Sequence, residues 1–360
     1  MDNAEIDYLK ELVRFKTVSA EPANKAEMKK CTQYLAGFFR SKNLFVEIKE
    51  YKGYPSLIAT TRKTKSPKLF LQAHLDVVPA KDSMFKLIEK DGKLFGRGAY
   101  DMKFACASYM KLCDLLVNDI NKYDFGIMLT FDEEVGGANG VEALLKEGYS
   151  CEAAVVPDAG SNWKINNEAK GAWFVAFASK GKSAHGSMPQ EGINAAENLT
   201  KAIDEIKQLA QAYKNDELTI TLTKLNSGKA MNQVPDYAEA AFDIRYRNKK
   251  ILAEVTAQLN ILAKKYQLKR TTKMFGECLN VPLDHPRVKE FIAIAEKILN
   301  KKIKTEFCPG STDARFFSAR NIPAILMQPD GGNRHADDEW IDKAGLFKLT
   351  EILHSYIKSA

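Results

Sequence analysis

The sequence predicts an α/β fold in which a mostly parallel sheet is flanked by helices and interrupted by a smaller domain. Short, largely apolar runs such as residues 69–73 alternate with segments of helical spacing, as in sheets buried on both faces. From residue 171 the order changes to strand, helix, strand, strand, helix and strand, the βαββαβ order of ferredoxin-like domains. We therefore expect one domain at 1–168 and 279–360, with an inserted domain at 169–278.

Each expected element follows from hydrophobic periodicity. Asp2 or Asn3 and Asn24 precede the first two helical segments and are expected to cap them. Helices are expected near residues 4–15 and 24–42, from Asp101 to about 117, and near 192–212, 249–265, 286–300 and 342–358. Strands are expected near residues 55–61, 68–73, 125–131, 153–157, 171–180, 218–224, 237–246, 267–275 and 323–327.

The composition argues against several classes of protein. The chain has 360 residues, 45% of them hydrophobic, which is too apolar for general disorder. Its net charge of +7 comes from 53 basic and 46 acidic residues that are interspersed, so no nucleic-acid partner is expected. We see no signal segment and no apolar stretch long enough for a membrane span, so no membrane association is expected. Six cysteines without CxxC spacing are typical of a cytoplasmic protein.

Histidine or carboxylate side chains follow three of the predicted buried strands: His74 and Asp76, then Glu133 and Glu134, then Asp158. Each group alone has a simpler explanation, because a lone His-x-Asp is usually a structural pair and acidic turns are common in solvent. The carboxyl ends of parallel strands, however, meet at one edge of a sheet. Carboxylates gathered there repel one another unless a cation compensates, so the pattern predicts a metal site.

Glycine-rich segments do not support nucleotide or serine-hydrolase chemistry. Residues 96–101 place Asp101 where a dinucleotide-binding loop has its third glycine, and a carboxylate there repels phosphate. Residues 181–183 look like the end of a phosphate-binding loop, but residue 176 is alanine where that pattern requires glycine. The sequence also has no G-x-S-x-G elbow. Taken by itself, Asp101 is most simply a helix cap.

Asp101 and His335 join His74, Glu134 and Asp158 in a set of two imidazoles and three carboxylates. Two zinc ions that share one carboxylate would need such a set, with positions left open for water and substrate. A single structural zinc would instead need four close ligands, usually cysteines, and the sequence offers no such group.

Eight short stretches follow one another along nearly the whole chain: HLDVVP at 74–79, GRGAYDMK at 96–103, DEEVGG at 132–137, PD at 157–158, GKSAHG at 181–186, NQVP at 232–235, DIR at 243–245 and HADDE at 335–339. Together they resemble the di-zinc amidohydrolases, the family of acetylornithine deacetylase, succinyl-diaminopimelate desuccinylase, aminoacylase and carboxypeptidase G. Each stretch alone is weak, but the joint pattern is specific. The resemblance implies a zinc-exopeptidase-like catalytic domain with an inserted lid and dimerisation domain.

The same resemblance implies how two zinc ions would be held. His74 and Asp158 would bind one ion, Glu134 and His335 the other, and Asp101 would bridge them. Co²⁺ or Mn²⁺ can substitute for Zn²⁺ at such sites.

Three further residues receive catalytic roles from the resemblance. Asp76 would orient His74, and Glu133 would be the general base for metal-activated water. His185 would stabilise the oxyanion, often in the site of a neighbouring subunit, so a homodimer is expected. An isolated histidine is otherwise more often an ordinary surface or core residue.

Four residues are candidates for holding a substrate carboxylate. Asn232 and Arg245 are assigned by resemblance, and a guanidinium fork suits a carboxylate. Gly310 and Ser311 could offer backbone donors at a helix start. A strand arginine is otherwise more often a surface charge, and simple capping explains the Gly310 segment nearly as well.

The sequence therefore predicts a cytoplasmic, zinc-dependent hydrolase that cleaves the amide bond of N-acyl amino acids. The alternative is a di- or tripeptidase or a carboxypeptidase, because the same metal chemistry serves both and the pocket decides between them. A catalytically silent binding protein is a third interpretation, against which Glu133 and the five ligands argue.

Overall fold

The computed structural model describes residues 3–214, 217–308 and 310–359, which form two compact units. The first unit contains the chain up to Asn167, Asn280–Cys308 and the chain from Thr312 onward. The second contains Glu168–Leu279 with residues 310–311. The second unit is thus formed mainly by a single insertion into the first.

Helices and strands alternate through much of the described chain. The α-helices are α1 (Ala4–Arg14), α2 (Lys25–Ser41), α3 (Lys103–Leu116), α4 (Val141–Lys146), α5 (Ala195–Gln208), α6 (Lys249–Lys265), α7 (Pro286–Leu299), α8 (Ala314–Ser318) and α9 (Lys343–Ser359). The strands are β1 (Phe45–Tyr51), β2 (Tyr54–Thr60), β3 (Leu69–His74), β4 (Ile88–Lys90), β5 (Lys93–Phe95), β6 (Phe125–Thr130), β7 (Ala153–Val155), β8 (Ile165–Ala169), β9 (Gly171–Lys180), β10 (Leu218–Ser227), β11 (Tyr237–Tyr246), β12 (Lys269–Gly276), β13 (Leu279–Asn280), β14 (Thr305–Cys308), β15 (Ala324–Ile325), β16 (Gly331–Gly332) and β17 (Trp340–Asp342).

The main sheet of the first unit has the strand order β1-β2-β6-β3-β7-β15. The pairings of β6 with β3, β3 with β7 and β7 with β15 are parallel, whereas those of β1 with β2 and β2 with β6 are antiparallel. Every residue of β3 and β6 is buried, as in strands covered on both faces. Helices α2 and α3 pack on β2 and β3, and α1 and α9 pack on α3. The expectation of an α/β fold is confirmed.

Asn3 and Asn24 occupy the N-cap positions of α1 and α2, as expected, but without the side-chain bond of a cap. The side chains of Asn3 and Asn24 make no capping hydrogen bond, and Asp2 lies outside the described residues. Asn24 closes a 3-10 turn with φ −86° and ψ 1°, so its backbone lacks the extended conformation that a capping side chain needs. Helix α3 begins only at Lys103, so Asp101 does not open it. The carboxylate of Asp101 instead makes the contacts described below.

Strand β1 is missing from the sequence-based prediction. Its residues, FVEIKEY, alternate between exposed and partly buried positions and carry three charges. It lies at the edge of the sheet, where only one neighbour pairs with it. Because little of β1 is buried, few of its residues need to be apolar. Its sequence therefore shows only a weak alternation of apolar and polar residues.

The second unit contains β9, α5, β10, β11, α6 and β12 in that order along the chain. Its sheet has the order β10-β11-β9-β12 and is antiparallel throughout. One face of the sheet is covered by α5 and α6, and Val175, Phe177 and Phe242 pack there with Leu199 and Leu259. Strand β10 is an edge strand, exposed over most of its length. Among the described helices, none combines the length and apolarity needed to cross a membrane.

Candidate metal centre

The main sheet brings together three of the predicted polar strand ends. Strands β3, β6 and β7 end at His74, Thr130 and Val155, and β3 pairs in parallel with both of the others. Glu134 and Asp158 follow β6 and β7 within a few residues, so they reach the same edge of the sheet as His74. This is the arrangement that parallel strands impose on residues at their carboxyl ends.

The first group of donors is His74, Asp101 and Asp158, whose ligand atoms lie within 4.8 Å of one another. The Nε2 atom of His74 lies 3.1 Å from Oδ1 of Asp101 and 3.7 Å from Oδ1 of Asp158. All three side chains are buried. Nitrogen and carboxylate oxygen in this combination suit a divalent transition metal.

The second group is Asp101, Glu134 and His335, again with ligand atoms within 4.8 Å of one another. The Nε2 atom of His335 lies 3.1 Å from Oε1 of Glu134 and 3.3 Å from Oδ2 of Asp101. Asp101 therefore belongs to both groups and directs one carboxylate oxygen toward each histidine. This donor set fits two metal ions that share one carboxylate.

The carboxylates of the two donor groups favour positive charge on the histidines beside them. Hydrogen bonds with Asp101 and Glu134 raise the pKa of His335 to about 10. Burial opposes the charge of His74, but hydrogen bonds with Asp101 and Asp158 outweigh it and hold its pKa well above the ordinary value. Burial likewise opposes the charge of Asp101, yet the two histidines hold its pKa well below the ordinary value. The clustered carboxylates thus attract positive charge, and a bound metal ion would supply it.

Asp76 holds the loop that carries Glu133 and Glu134. Its carboxylate accepts hydrogen bonds from the backbone N–H of Glu133 at 3.3 Å and of Glu134 at 3.0 Å. The Nδ1 atom of His74 lies 3.1 Å from the backbone oxygen of Asp76 and 3.5 Å from its carboxylate. Asp76 therefore links the end of β3 to the loop after β6.

Glu133 lies beside these donors but belongs to neither group. Burial raises the pKa of its carboxyl group well above the ordinary value, and the charges of Asp158, Asp313 and Asp101 add to the rise. A carboxyl group with a raised pKa holds a transferred proton more readily, as a general acid or base must.

Glu339 orders the loop that carries Asp101, a role that was not expected from the sequence. Its carboxylate accepts hydrogen bonds from the backbone N–H of Gly98, Tyr100 and Asp101 at 3.1, 2.8 and 2.9 Å. Arg97 donates to the same carboxylate at 2.6 Å. Arg97 and Glu339 stand inside two of the matched sequence stretches, which is the signal that could have identified them.

Arg315 and Asp313 support the loop after β6 in a similar way. Arg315 donates from Nη2 to the backbone oxygen of Gly136 at 2.8 Å. Asp313 accepts hydrogen bonds from Gln72 at 3.3 Å and Thr130 at 3.4 Å. Both side chains are buried. The segment that begins with Gly310 and Ser311, the candidates for substrate binding, thus continues into residues that support the loop after β6.

The remaining predicted site residues lie in the second unit. His185 is exposed, with Nδ1 2.8 Å from the hydroxyl of Ser187. Arg245 forms a bidentate pair with Asp243, at 2.6 and 3.0 Å. The backbone oxygen of Asn232 accepts a hydrogen bond from Gly186 at 2.8 Å. Gly310 and Ser311 are exposed. These residues are placed by their own unit, and His185 is not among the members of the two donor groups.

Comparison with known proteins gives consistent matches along the chain. A model of peptidase family M20/M25/M40 matches residues 70–359. The succinyl-diaminopimelate desuccinylase of Rickettsia akari is 25% identical, over 98% of this chain and 98% of its own length. Aminoacylase-1 of Sus scrofa is 26% identical, over 91% of this chain and 87% of its own length. The crystal structure of a tripeptidase from Staphylococcus aureus has the same fold, with a TM-score of 0.78 and 19% identity over 100% of this chain and 98% of that one.

Proposed function

This chain belongs to peptidase family M20/M25/M40 and is thus a metal-dependent hydrolase of amide or peptide bonds, and we propose that it releases free amino acids from small N-acyl amino acids. The observation that carries the proposal is the position of Asp101. One of its carboxylate oxygens lies in each of the two donor groups, and Glu133 lies beside these groups. The names of the desuccinylase and the aminoacylase favour an N-acyl substrate.

The proposed cofactors are two Zn²⁺ ions, for which Co²⁺ or Mn²⁺ can substitute. His74 and Asp158 would hold one ion, Glu134 and His335 the other, and Asp101 both. When bound, such ions lower the pKa of water and polarise an amide carbonyl. The close N and O donors of both groups support this assignment.

In the proposed mechanism, Glu133 takes a proton from the attacking water on its carboxylate. The oxygen of that water bonds to the carbonyl carbon of the amide. Glu133 then delivers the proton to the nitrogen of the leaving amine, so that the C–N bond breaks, a neutral amine departs and the acyl group leaves as a carboxylic acid. Asp76 keeps Glu133 in place through the backbone hydrogen bond it accepts, and it keeps His74 oriented. The raised pKa of Glu133 supports its role as the proton carrier.

The second unit would act as a ferredoxin-like lid and dimerisation domain. His185 would stabilise the oxyanion, and its exposed imidazole supports a role toward a bound molecule or a second subunit. Asn232 and Arg245, with Gly310 and Ser311, would hold the substrate carboxylate. Arg245 would share its guanidinium between that carboxylate and Asp243. The six free cysteines are consistent with a reducing, cytoplasmic location.

A second candidate is a di- or tripeptidase or a carboxypeptidase, which the shared fold with a tripeptidase favours. The chemistry at the amide bond is the same in both cases, so the side chains that contact the acyl group or N-terminal residue decide between them.

Amino-acid release from matched panels of N-acetyl, N-succinyl and dipeptide substrates tests the proposal. Each assay contains added zinc or cobalt, and the Glu133→Gln variant serves as the blank. We expect turnover of an N-acyl panel that the blank lacks. Preferential turnover of dipeptides would select the peptidase, and silence across all panels with metal bound would favour a binding protein on this fold.

A further inference from the structure

Arg334 lies directly before the metal-ligand candidate His335 but has no role in the function proposed so far. Its guanidinium stacks over the ring of Tyr100, with Cζ 5.1 Å from the ring centroid. Its Nη2 donates a hydrogen bond to Oε1 of Gln328, and its Nη1 lies 3.9 Å from Oδ1 of Asp158. The side chain keeps 32% of its surface exposed. Arg334 thus places a positive charge at the rim of the first donor group.

Gln328 fixes the position of this guanidinium relative to the candidate centre. Its side chain is fully buried, and its Nε2 donates to the backbone oxygen of Pro157 at 3.0 Å and of Tyr100 at 3.5 Å. Those two carbonyls belong to the residues immediately before Asp158 and Asp101. The amide of Gln328 therefore links Arg334 to the backbone that carries both carboxylates.

The guanidinium is held in place but retains capacity for another acceptor. A separation of 3.9 Å between Nη1 and Asp158 is too long for a hydrogen bond. An arginine has five N–H donors in a rigid plane, and neither the stacking on Tyr100 nor the bond to Gln328 uses them all. A partly exposed, pre-oriented guanidinium is the group best suited to bind a carboxylate through two parallel hydrogen bonds.

From this geometry we propose that Arg334 binds a carboxylate of the substrate beside the candidate metal centre. The inference rests on the proposed function and assigns Arg334 to one of the carboxylates that its substrates carry near the bond that is cleaved. Arg245, the other arginine assigned to a substrate carboxylate, belongs to the second unit and is paired with Asp243. The carboxylate comes either from the acyl group, as in a succinyl amide, or from the amino acid.

A different role for Arg334 predicts different behaviour. If its charge served only to offset Asp158 and Asp101, its removal would change metal content and would affect charged and neutral substrates alike. If it binds a substrate carboxylate, the loss falls on compounds that carry that group. A comparison of charged and neutral derivatives of the same compound therefore distinguishes the two roles.

The test uses four compounds built on one amino acid: the N-succinyl and N-succinamoyl derivatives, each as the free acid and as the α-amide. We compare kcat/KM for the zinc-loaded wild-type protein, Arg334→Gln and Arg334→Lys. In the Glu133→Gln background we also measure binding of the same compounds by calorimetry, with and without Arg334→Gln. Metal content is determined for every variant. Arg62→Gln is the matched control, because Arg62 lies in the same unit and pairs with Asp124 in an exposed position.

We expect Arg334→Gln to weaken binding and kcat/KM for one class of carboxylate by about 10- to 100-fold relative to its neutral partner, the usual contribution of a hydrogen bond to a charged group. Arg334→Lys should recover part of this selectivity, and Arg62→Gln should resemble the wild type. Loss confined to succinyl compounds identifies the acyl carboxylate, and loss confined to free acids identifies the amino-acid carboxylate. Equal losses on all four compounds, or no preference for carboxylates in the Arg334-containing protein, would overturn the inference. Absence of hydrolysis in the wild type would instead refute the proposed function, and the calorimetry would still decide the role of Arg334.

Discussion

Arg97 and Glu339 form a buried ion pair with 2.6 Å between Nη1 and Oε2, and the two residues are 242 positions apart in the chain. The pair joins the loop that carries Asp101 to the segment that carries His335. Arg97 also donates to the backbone oxygen of His335 at 3.1 Å. The ion pair and this hydrogen bond therefore hold together the two distant segments that supply Asp101 and His335.

Replacing Glu339 with glutamine should destabilise the protein. The variant leaves the Arg97 charge buried without its partner, which typically costs about 3–5 kcal/mol. The free energy of unfolding in urea, measured on protein treated with a chelator, checks this expectation. Glu89→Gln is the control, since Glu89 pairs with Lys343 near the surface and should contribute less than about 1 kcal/mol. Similar losses in the two variants would contradict the role given to Glu339.

Glu133 and Glu134 are neighbours in the chain, but we expect opposite results when each is changed to glutamine. Glu133→Gln should retain two metal ions and lose turnover by about 10²- to 10⁴-fold, since it lacks the proton carrier. Glu134→Gln should bind less metal, because it removes a charged donor beside His335. Metal analysis after dialysis, together with kcat, distinguishes them. Near-normal turnover by Glu133→Gln would exclude it as the general base.

A trans role for His185 predicts complementation between two inactive variants. Glu133→Gln and His185→Ala are each expected to have little activity. If His185 serves the partner subunit, mixed dimers contain one site with both residues intact. Activity should therefore rise after subunit exchange, which labelled protein can verify independently. Verified exchange without recovery would indicate that His185 acts within its own chain or not at all.

The pH dependence of stability can be predicted at Glu147, away from the candidate centre. Lys49 and Lys65 donate to its carboxylate at 2.7 and 2.9 Å, and Tyr51 also donates to it. The hydrogen bond from Lys49, followed by those from Tyr51 and Lys65, lowers the pKa of Glu147 from 4.5 to about 2. Since the pKa is lower in the folded state, the stabilisation is present above about pH 4.5 and is lost as the pH falls toward 2.

Glu147→Gln should therefore lower the free energy of unfolding at pH 7 by up to about 1 kcal/mol, the range for partly exposed ion pairs. The difference from the wild type should shrink steadily as the pH falls below 4.5. Urea unfolding at a series of pH values provides the measurement. A difference that stays constant down to pH 2 would show that the ion pairs are not its source.

The sequence could predict some positions at the candidate centre because local rules determine them. Neighbouring parallel strands end at the same edge of a sheet. Residues at or just after those ends, here His74, Glu134 and Asp158, could therefore be expected to lie close together. Asp101 follows an irregular loop, so local rules suggested only a helix cap for it, whereas α3 begins two residues later. Its expected place in both donor groups came from the resemblance. The partnership of Arg97 with Glu339 was beyond prediction, since no periodicity relates residues so far apart. The same holds for Gln328 and Arg334, whose contacts with Tyr100 and Asp158 depend on tertiary packing.

The insertion of the second unit has a consequence for synthesis of the protein on the ribosome. His335 and Glu339 are made after the insertion, whereas His74, Arg97 and Asp101 are made before it. A nascent chain therefore cannot complete the second donor group until the whole insertion and the residues up to His335 have been translated. Chains that terminate within the insertion would lack a complete centre, so any hydrolysis that depends on both groups requires translation beyond the inserted unit.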